Sequence, residues 1–371
     1  MKIEWVELRQ IAMELVEPFE TSGWRETVRP CIIIALHSEG LTGYGECVAG
    51  AGPWYSYETV ETAWHILKDF LIPAVLGQHF SSAEELQARL KPIRGHPMAK
   101  AGLEAAFWDV LAQAKNISLA QLLGGTKDRI ESGISIGIQQ DIPTLLEVIE
   151  RRRAQGYKRI KLKVKPGWDL DVLRAVRQRF PDIELMADAN AAYNLADREH
   201  LRKFDEFGLV MLEQPLDYDD LIDHSVLQRE LKTPICLDES IKTPDDARKA
   251  LDIGACRIIN IKPGRVGGLL NAKKIHDLCR ERGVPVWCGG MLETGIGRAA
   301  NVALASLPGF ALPNDISASA RYWREDIIDP PFVLEPDGTI RVPSGPGLGV
   351  CVLQERLERA TQRRERFVSP V

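Results

Sequence analysis

The chain has 371 residues, 45% hydrophobic and 27% charged, the make-up of a soluble globular protein with room for a large core. Its net charge of −5 gives no support for nucleic-acid binding, and the basic stretches 151–153 and 356–366 are mixed into helical patterns, as solvated helix faces are. No apolar run approaches the roughly 18 residues of a membrane span, the start MKIEWVELRQ is charged and alternating rather than a signal peptide, and seven cysteines without a CxxC pair read as reduced thiols of a cytoplasmic protein, with Cys236, Cys256 and Cys288 in or beside apolar strands.

Residues 3–16, 31–37 and 43–48 alternate or are β-rich and predict an antiparallel sheet. A loop at 19–25 joins two of these strands, with Thr21, Ser22 and Gly23 as flexible links. Helical patterns follow at 58–72, 82–90 and 99–114. Sheet followed by helices is an α+β pattern, so 1–125 is expected to be a capping domain ending at Gly124-Gly125. The pattern then changes. Apolar runs recur at 132–138, 159–164, 185–190, 210–215, 234–239, 257–263 and 285–290. Helical patterns at 143–155, 169–180, 195–204, 221–231, 245–251 and 267–282 lie between them. Gly156, Gly208, Gly254 and Gly283 fall where helices should stop before the next strand. Lys163, Asp188, Glu213 and Asp238 follow one another at steps of 25, and Lys262 comes 24 later. That period holds one strand, one helix and two short loops. It predicts an α/β fold, a (β/α)7β-type TIM barrel over 126–325 with its active site at the C-terminal ends of the strands. A helix at 298–307 and a last strand at 310–313 complete it. Beyond, in 326–371, the rhythm is lost. Strands are expected at 332–334 and 338–342, and the segment is expected to return to the capping domain.

Asp188, Glu213 and Asp238 come from three consecutive strands, which lie about 4.8 Å apart. Three carboxylates at matching phase would repel and be driven towards protonation unless a cation sat between them. A hard divalent ion with oxygen ligands is the natural occupant; Mg²⁺ fits best, with Mn²⁺ as its substitute. Asn190 shares the face of Asp188 and either hydrogen-bonds the ligand residues or makes a turn. Glu239 points elsewhere and either supports the ligands from behind or caps a helix. Lys161 and Lys163 share parity and aim into the barrel mouth, where each ammonium should depress the other's pKa and let one act as a neutral base. Lys165 continues the parity but falls in the loop begun by Pro166-Gly167. Lys262, on the sixth strand, sits across the barrel with the carboxylates between. Two lysines on opposite sides of one carbon suit abstraction of a proton α to a carboxylate through a metal-stabilised enediolate.

At these residues the chain resembles the enolase superfamily, muconate-lactonizing subgroup, through Lys161-Leu-Lys163, Asp188-Ala-Asn190, Glu213-Gln-Pro215, Asp238-Glu-Ser240 and Asn260-Ile-Lys262-Pro-Gly. The stretches Trp287-Cys-Gly-Gly-Met-Leu-Glu-Thr-Gly-Ile-Gly-Arg298 and Pro313-Asn-Asp-Ile-Ser-Ala-Ser319 resemble the N-succinylamino acid racemase / o-succinylbenzoate synthase family. The likeness runs over essentially the whole chain, including Gly45-Glu-Cys47 and the GPWYSYE segment. It implies Mg²⁺ ligands Asp188, Glu213 and Asp238, and Lys163 and Lys262 as the acid/base pair with Lys161 assisting. It implies a small-molecule carboxylate as substrate, with no nucleic acid and no membrane. The reaction it implies is racemisation of N-succinyl (N-acyl) amino acids, syn-dehydration to o-succinylbenzoate in menaquinone biosynthesis, or both. Ser135, Gly290 and Met291 would meet the succinyl end. Arg265 matches an arginine of the racemase-bearing branch and is expected at the substrate. Phe19 and Trp24 would close over the barrel mouth, with Tyr55 in a second loop doing the same. Such proteins tend to be homo-oligomers. The alternatives are a dipeptide epimerase or a muconate cycloisomerase; an epimerase would carry an Asp-x-Asp near the eighth strand, which Asn314-Asp315-Ile316 does not supply. A barrel metal hydrolase would need histidine ligands, and the seven histidines avoid the strand ends.

Overall fold

The computed structural model describes residues 1–369. Two long strands, Trp5–Glu20 and Arg25–Ser38, pair antiparallel, and Leu41–Cys47 adds to the second. The second and third strands are joined by Glu39-Gly40, both at positive φ (51° and 83°), the two-residue turn whose twist matches that of the strands. The helix Pro97–Ala114 lies across this sheet and is buried on nearly every side. A helix apolar all round must be sandwiched, and here the sheet and the barrel cover its two faces. Gly43 and Gly45 permit the close approach: a Cβ on Gly45 would stand 2.0 Å from the Gly102 carbonyl oxygen.

Seven parallel strands follow in sequential order: Ile134–Ile136, Ile160–Lys163, Leu185–Asp188, Leu212–Glu213, Ile235–Leu237, Ile258–Ile261 and Val286–Cys288. Residues 310–314 bridge the seventh strand at Phe310 and the first at Ser132. The ring therefore closes through single bridges rather than through the regular eighth strand expected at 310–313. Gly156, Gly208, Gly254 and Gly283 all have positive φ (98°, 55°, 70° and 66°), as left-handed helix stops require.

The end of the chain is split between two partners. Thr361–Val368 pairs with the first strand of the N-terminal sheet. Thr339–Arg341 pairs instead with Arg129–Glu131, just ahead of the first barrel strand. The strand expected at 332–334 is irregular; the short strand of this region is Ile328–Asp329, paired with Cys351–Val352. Among the described residues no helix is long and apolar enough to cross a membrane.

Candidate active site

Strand register sets the site. Lys163 pairs with Asp188, and Asp188 with Glu213, so these three stand on one rung. Glu213 pairs with Cys236, not with Asp238. Asp238 therefore sits two residues higher, at the same sequence step of 25. Strands in a closed barrel are staggered, so equal spacing along the chain becomes a climbing row. Two residues below the acids, Met186, Met211 and Cys236 join Ile258 and Trp287 in a small apolar cluster. By strand alternation these residues share the inward face with the acids and plug the barrel beneath them.

Asp188, Glu213 and Asp238 are all fully buried. They do not converge: among the described residues no three acidic, histidine or cysteine side chains are placed to hold an ion together. The Lys161 ammonium stands between Asp188 (2.8 Å) and Glu213 (2.7 Å) and reaches Asp315 at 3.2 Å. Lys163 Nζ contacts Asp188 at 2.6 Å and donates to Asn190 Oδ1 at 2.7 Å. Lys262 Nζ contacts Asp238 at 2.7 Å, with Arg265 on the other oxygen of that carboxylate.

At Lys161 these contacts reverse the downward shift expected from a neighbouring ammonium. Burial pushes Lys161 down, but Asp188, Glu213 and Asp315 more than reverse it, and it lies well above its ordinary value. Lys262 is raised in the same way: burial lowers it, and Asp238, Tyr55 and Glu213 together more than reverse that. Burial favours a protonated Asp188, yet Lys161 and Lys163 hold it well below the carboxylate range. Glu213 goes the other way, pushed up to about 7 by burial and by Asp188. Glu239 is pushed up to about 8 by burial, Asp238 and Asp188, and its Oε2 has no hydrogen-bond partner. The donor set is all oxygen, and at Glu213 and Glu239 burial and neighbouring carboxylates oppose ionisation, which fits a hard divalent cation.

Backbone turns fix the acids. Asn190, at φ 44°, donates its N–H to Asp188 Oδ1 at 2.9 Å and its amide to Glu239 Oε1 at 2.9 Å. It both makes the turn and bonds Asp188 and Glu239. Glu239 caps no helix; the helix Pro244–Asp252 is capped by Thr243. Asn260 donates to Glu213 Oε1 at 2.8 Å. Gln214, also left-handed at φ 36°, accepts from the Asp238 N–H at 3.0 Å.

A cavity of about 260 Å³ opens above these groups, lined by Ser135, Lys161, Lys163, Asn190, Lys262, Gly290, Met291 and Asp315 from the barrel and by Phe19, Trp24 and Tyr55 from the N-terminal domain. Ser135 is buried with an unpartnered hydroxyl. Phe19 lies on the first strand, not in a loop: it pairs with Glu26, and the connection is a tight turn closed by Thr21 N–H to the Trp24 carbonyl at 2.9 Å. Its buried ring sits 6.0 Å from Lys163 Nζ. Arg265 does not line the cavity. It is buried behind Asp238, with Nε donating to the Ile241 carbonyl (2.6 Å) and Nη2 to that of Asn260 (2.5 Å), because its guanidinium spends its donors on the strand ends. Lys165 lies in a turn against Trp168.

The N-terminal segment 5–124 matches the mandelate racemase / muconate lactonizing enzyme N-terminal domain, and 144–356 matches the enolase C-terminal domain-like family. The chain belongs to the enolase superfamily. Within it, the chain is 56% identical to an o-succinylbenzoate synthase of Geobacillus kaustophilus over 99% of its length and 98% of the relative's. It is 49% identical to an N-succinylamino acid racemase of Amycolatopsis sp, covering 97% of this chain and 98% of that one. A crystal structure of an enolase-superfamily member from Listeria innocua superposes with a TM-score of 0.96 at 42% identity, over 100% of both chains.

Several site residues of this enolase-superfamily protein escaped the reading of the sequence as functional groups. Asp315 holds Lys161 and the guanidinium of Arg159; it was weighed only as half of a missing Asp-x-Asp pair. Arg159, its carbon Cζ 4.5 Å from the Trp287 ring, looked like the start of a strand. Lys161 and Arg159 share parity, and that was the available signal.

Proposed function

We propose that this protein abstracts the proton α to the carboxylate of a small N-acylated substrate, racemising N-succinyl amino acids, dehydrating the o-succinylbenzoate precursor, or both. The observation that carries this reading is the pair of lysines facing one cavity, each bonded to a different acid of the same row: Lys163 to Asp188 and Lys262 to Asp238. Asp188, Glu213 and Asp238 would hold Mg²⁺, and Mn²⁺ in its place. When bound, that ion supplies positive charge to the substrate's carboxylate oxygens, where negative charge gathers as the α-proton leaves.

This chain's own groups do the rest. Lys163 and Lys262 exchange a proton with opposite faces of the α-carbon. Lys262, held protonated by Asp238, is set to give a proton in one direction of racemisation, or to remain charged beside the developing anion in dehydration. Lys161 keeps a fixed positive charge between Asp188 and Glu213. Asn190 holds Lys163 towards the cavity. Ser135, with its free hydroxyl, and the backbone of Gly290 and Met291 meet the succinyl arm. A Cβ at Gly290 would stand 2.5 Å from the Asp315 carbonyl oxygen, so only glycine fits there. Phe19 and Trp24 exclude water.

Asp315 weighs against an epimerase of free-amine dipeptides, since its carboxylate is already committed to Arg159 and Lys161. The relatives' names support the acylated substrates. The same reading places the reaction in menaquinone biosynthesis and the protein in the cytoplasm, where the six buried free thiols stay reduced. It also takes the protein to be a homo-oligomer, which light scattering tests.

The deciding experiment incubates protein and Mg²⁺ with N-succinyl-L-phenylalanine in D₂O, following optical rotation and α-deuterium, beside a dehydration assay on the o-succinylbenzoate precursor. Activity on at least one substrate, lost in Lys163→Ala and in Lys262→Ala, is expected. Activity on neither would overturn the substrate assignment.

A further inference from the structure

The two lysines are held differently. Lys163 is hydrogen-bonded to barrel groups, Asp188 and Asn190, and from the other domain the Phe19 ring centre lies 6.0 Å from its Nζ. Lys262 has a bonded partner from the N-terminal domain. Its Nζ donates to the Tyr55 hydroxyl at 3.1 Å and lies 4.5 Å from the centre of that ring. The same hydroxyl donates to Asp238 Oδ1 at 2.9 Å. One phenol thus closes a triangle with Lys262 and Asp238, whose own contact is 2.7 Å.

Tyr55 is well placed to hold that geometry. Its loop is anchored on both sides. Arg29 donates to the Val48 carbonyl before it. After it, Glu58 accepts the N–H groups of Met98 (2.7 Å) and Ala99 (3.1 Å) at the start of the helix Pro97–Ala114. The Trp24 ring, from the tip of the hairpin, meets Tyr55 edge-on at 6.3 Å. Ser22 of the same tip donates to the Asn190 carbonyl at 3.4 Å.

We infer that Tyr55 is a positioning residue for Lys262: the N-terminal domain orients one of the two acid/base lysines while the barrel alone orients the other. A long, flexible lysine chain gains most from a fixed partner that limits its rotamers, and proton transfer depends steeply on placement. The inference rests on the two-lysine reading above. It makes a directional claim that a structural role for Tyr55 does not. Losing the phenol should slow α-proton exchange for the enantiomer that Lys262 serves and spare the one that Lys163 serves.

The test measures α-proton exchange in D₂O separately for N-succinyl-L-phenylalanine and its D-enantiomer, in wild type, Tyr55→Phe and Tyr55→Leu, at saturating Mg²⁺. The enantiomer served by Lys262 is the one whose exchange is lost in Lys262→Ala. For it, Tyr55→Phe should fall about tenfold, the worth of one hydrogen bond to a charged group. Tyr55→Leu, which also removes the ring, should fall further. The other enantiomer should stay within about twofold in both. Mg²⁺ affinity by titration calorimetry should be unchanged in Tyr55→Phe. Equal losses on both enantiomers would overturn the assignment. So would a Mg²⁺ affinity that drops with the rate, since Tyr55 would then act through Asp238 alone. If wild type exchanges neither enantiomer, the proposed function itself fails and this inference goes with it.

Discussion

The barrel rim and the domain that caps it do different work around the two lysines of one cavity. The rim brings charge: Lys161, Lys163, Asp188, Glu213, Asp238 and Lys262 all project from strand ends and pair with one another. The cap sets rings beside the lysines, Phe19 by Lys163 and Tyr55 by Lys262, and adds Trp24 with Arg25, Glu26, Arg29 and Glu58 to the cavity wall. The difference follows from what each scaffold does well. Parallel strands fix side-chain direction to fractions of an ångström and can hold like charges beside opposite ones. A hairpin tip and a loop suit the job of closing over a substrate and excluding water.

If the rim carries the proton chemistry, breaking it should cost most. Lys163→Ala and Lys262→Ala should each lower turnover by about 10³-fold, in the range of removing a general acid or base, with little change in thermal midpoint. A loss under tenfold in either would assign the chemistry to other groups. Removing the support of an acid should cost less. Asn260→Ala leaves Glu213 without its amide donor and should weaken Mg²⁺ binding by about 10–100-fold. Calorimetry reads this directly, and an unchanged affinity would place Glu213 outside the metal site.

The cap should show smaller effects of a different kind. Phe19→Ala opens the wall beside Lys163 and should lower kcat/KM by about tenfold, through apolar burial lost at the cavity wall, while Mg²⁺ affinity stays constant. A fall in metal affinity would mean that the cap shapes the charged row itself.

The smallest effect concerns stability. Glu104, on the helix between sheet and barrel, is pushed from 4.5 up to about 8, chiefly by burial, although the Leu270 and Leu269 N–H groups oppose this. An acid whose value is raised by folding binds more protons in the native state. Its stabilising contribution is full below about 4.5 and is lost as the pH rises through about 8. Glu58 and Glu46, both about 7, have the same sign. Glu104→Gln should therefore raise the thermal midpoint at pH 8.5 relative to pH 5.5 by a few degrees compared with wild type. Parallel pH curves for the two proteins would show that Glu104 stays charged when buried.

Much of the rim was legible because a barrel repeats. A step of 25 residues, glycines at the helix stops and polar residues at strand ends are local facts, and they placed five charged groups on one face. The amino-acid sequence by itself determined the parallel ring, the identity of its charged groups and the parity that brings Lys161 and Lys163 inward, because strand alternation and helix period are properties of the chain.

Only the tertiary structure decided the heights and the partners. Register put Asp238 two residues above the Asp188–Glu213 rung, since stagger arises when the ring closes. It turned Arg265 away from the cavity and spent it on Asp238, Ile241 and Asn260. It joined Asp315 to Lys161, residues 154 positions apart, and set the Tyr55 hydroxyl on Lys262 across 207 positions. The first contact depends on how the ring closes and the second on how two domains dock, and no local periodicity encodes either.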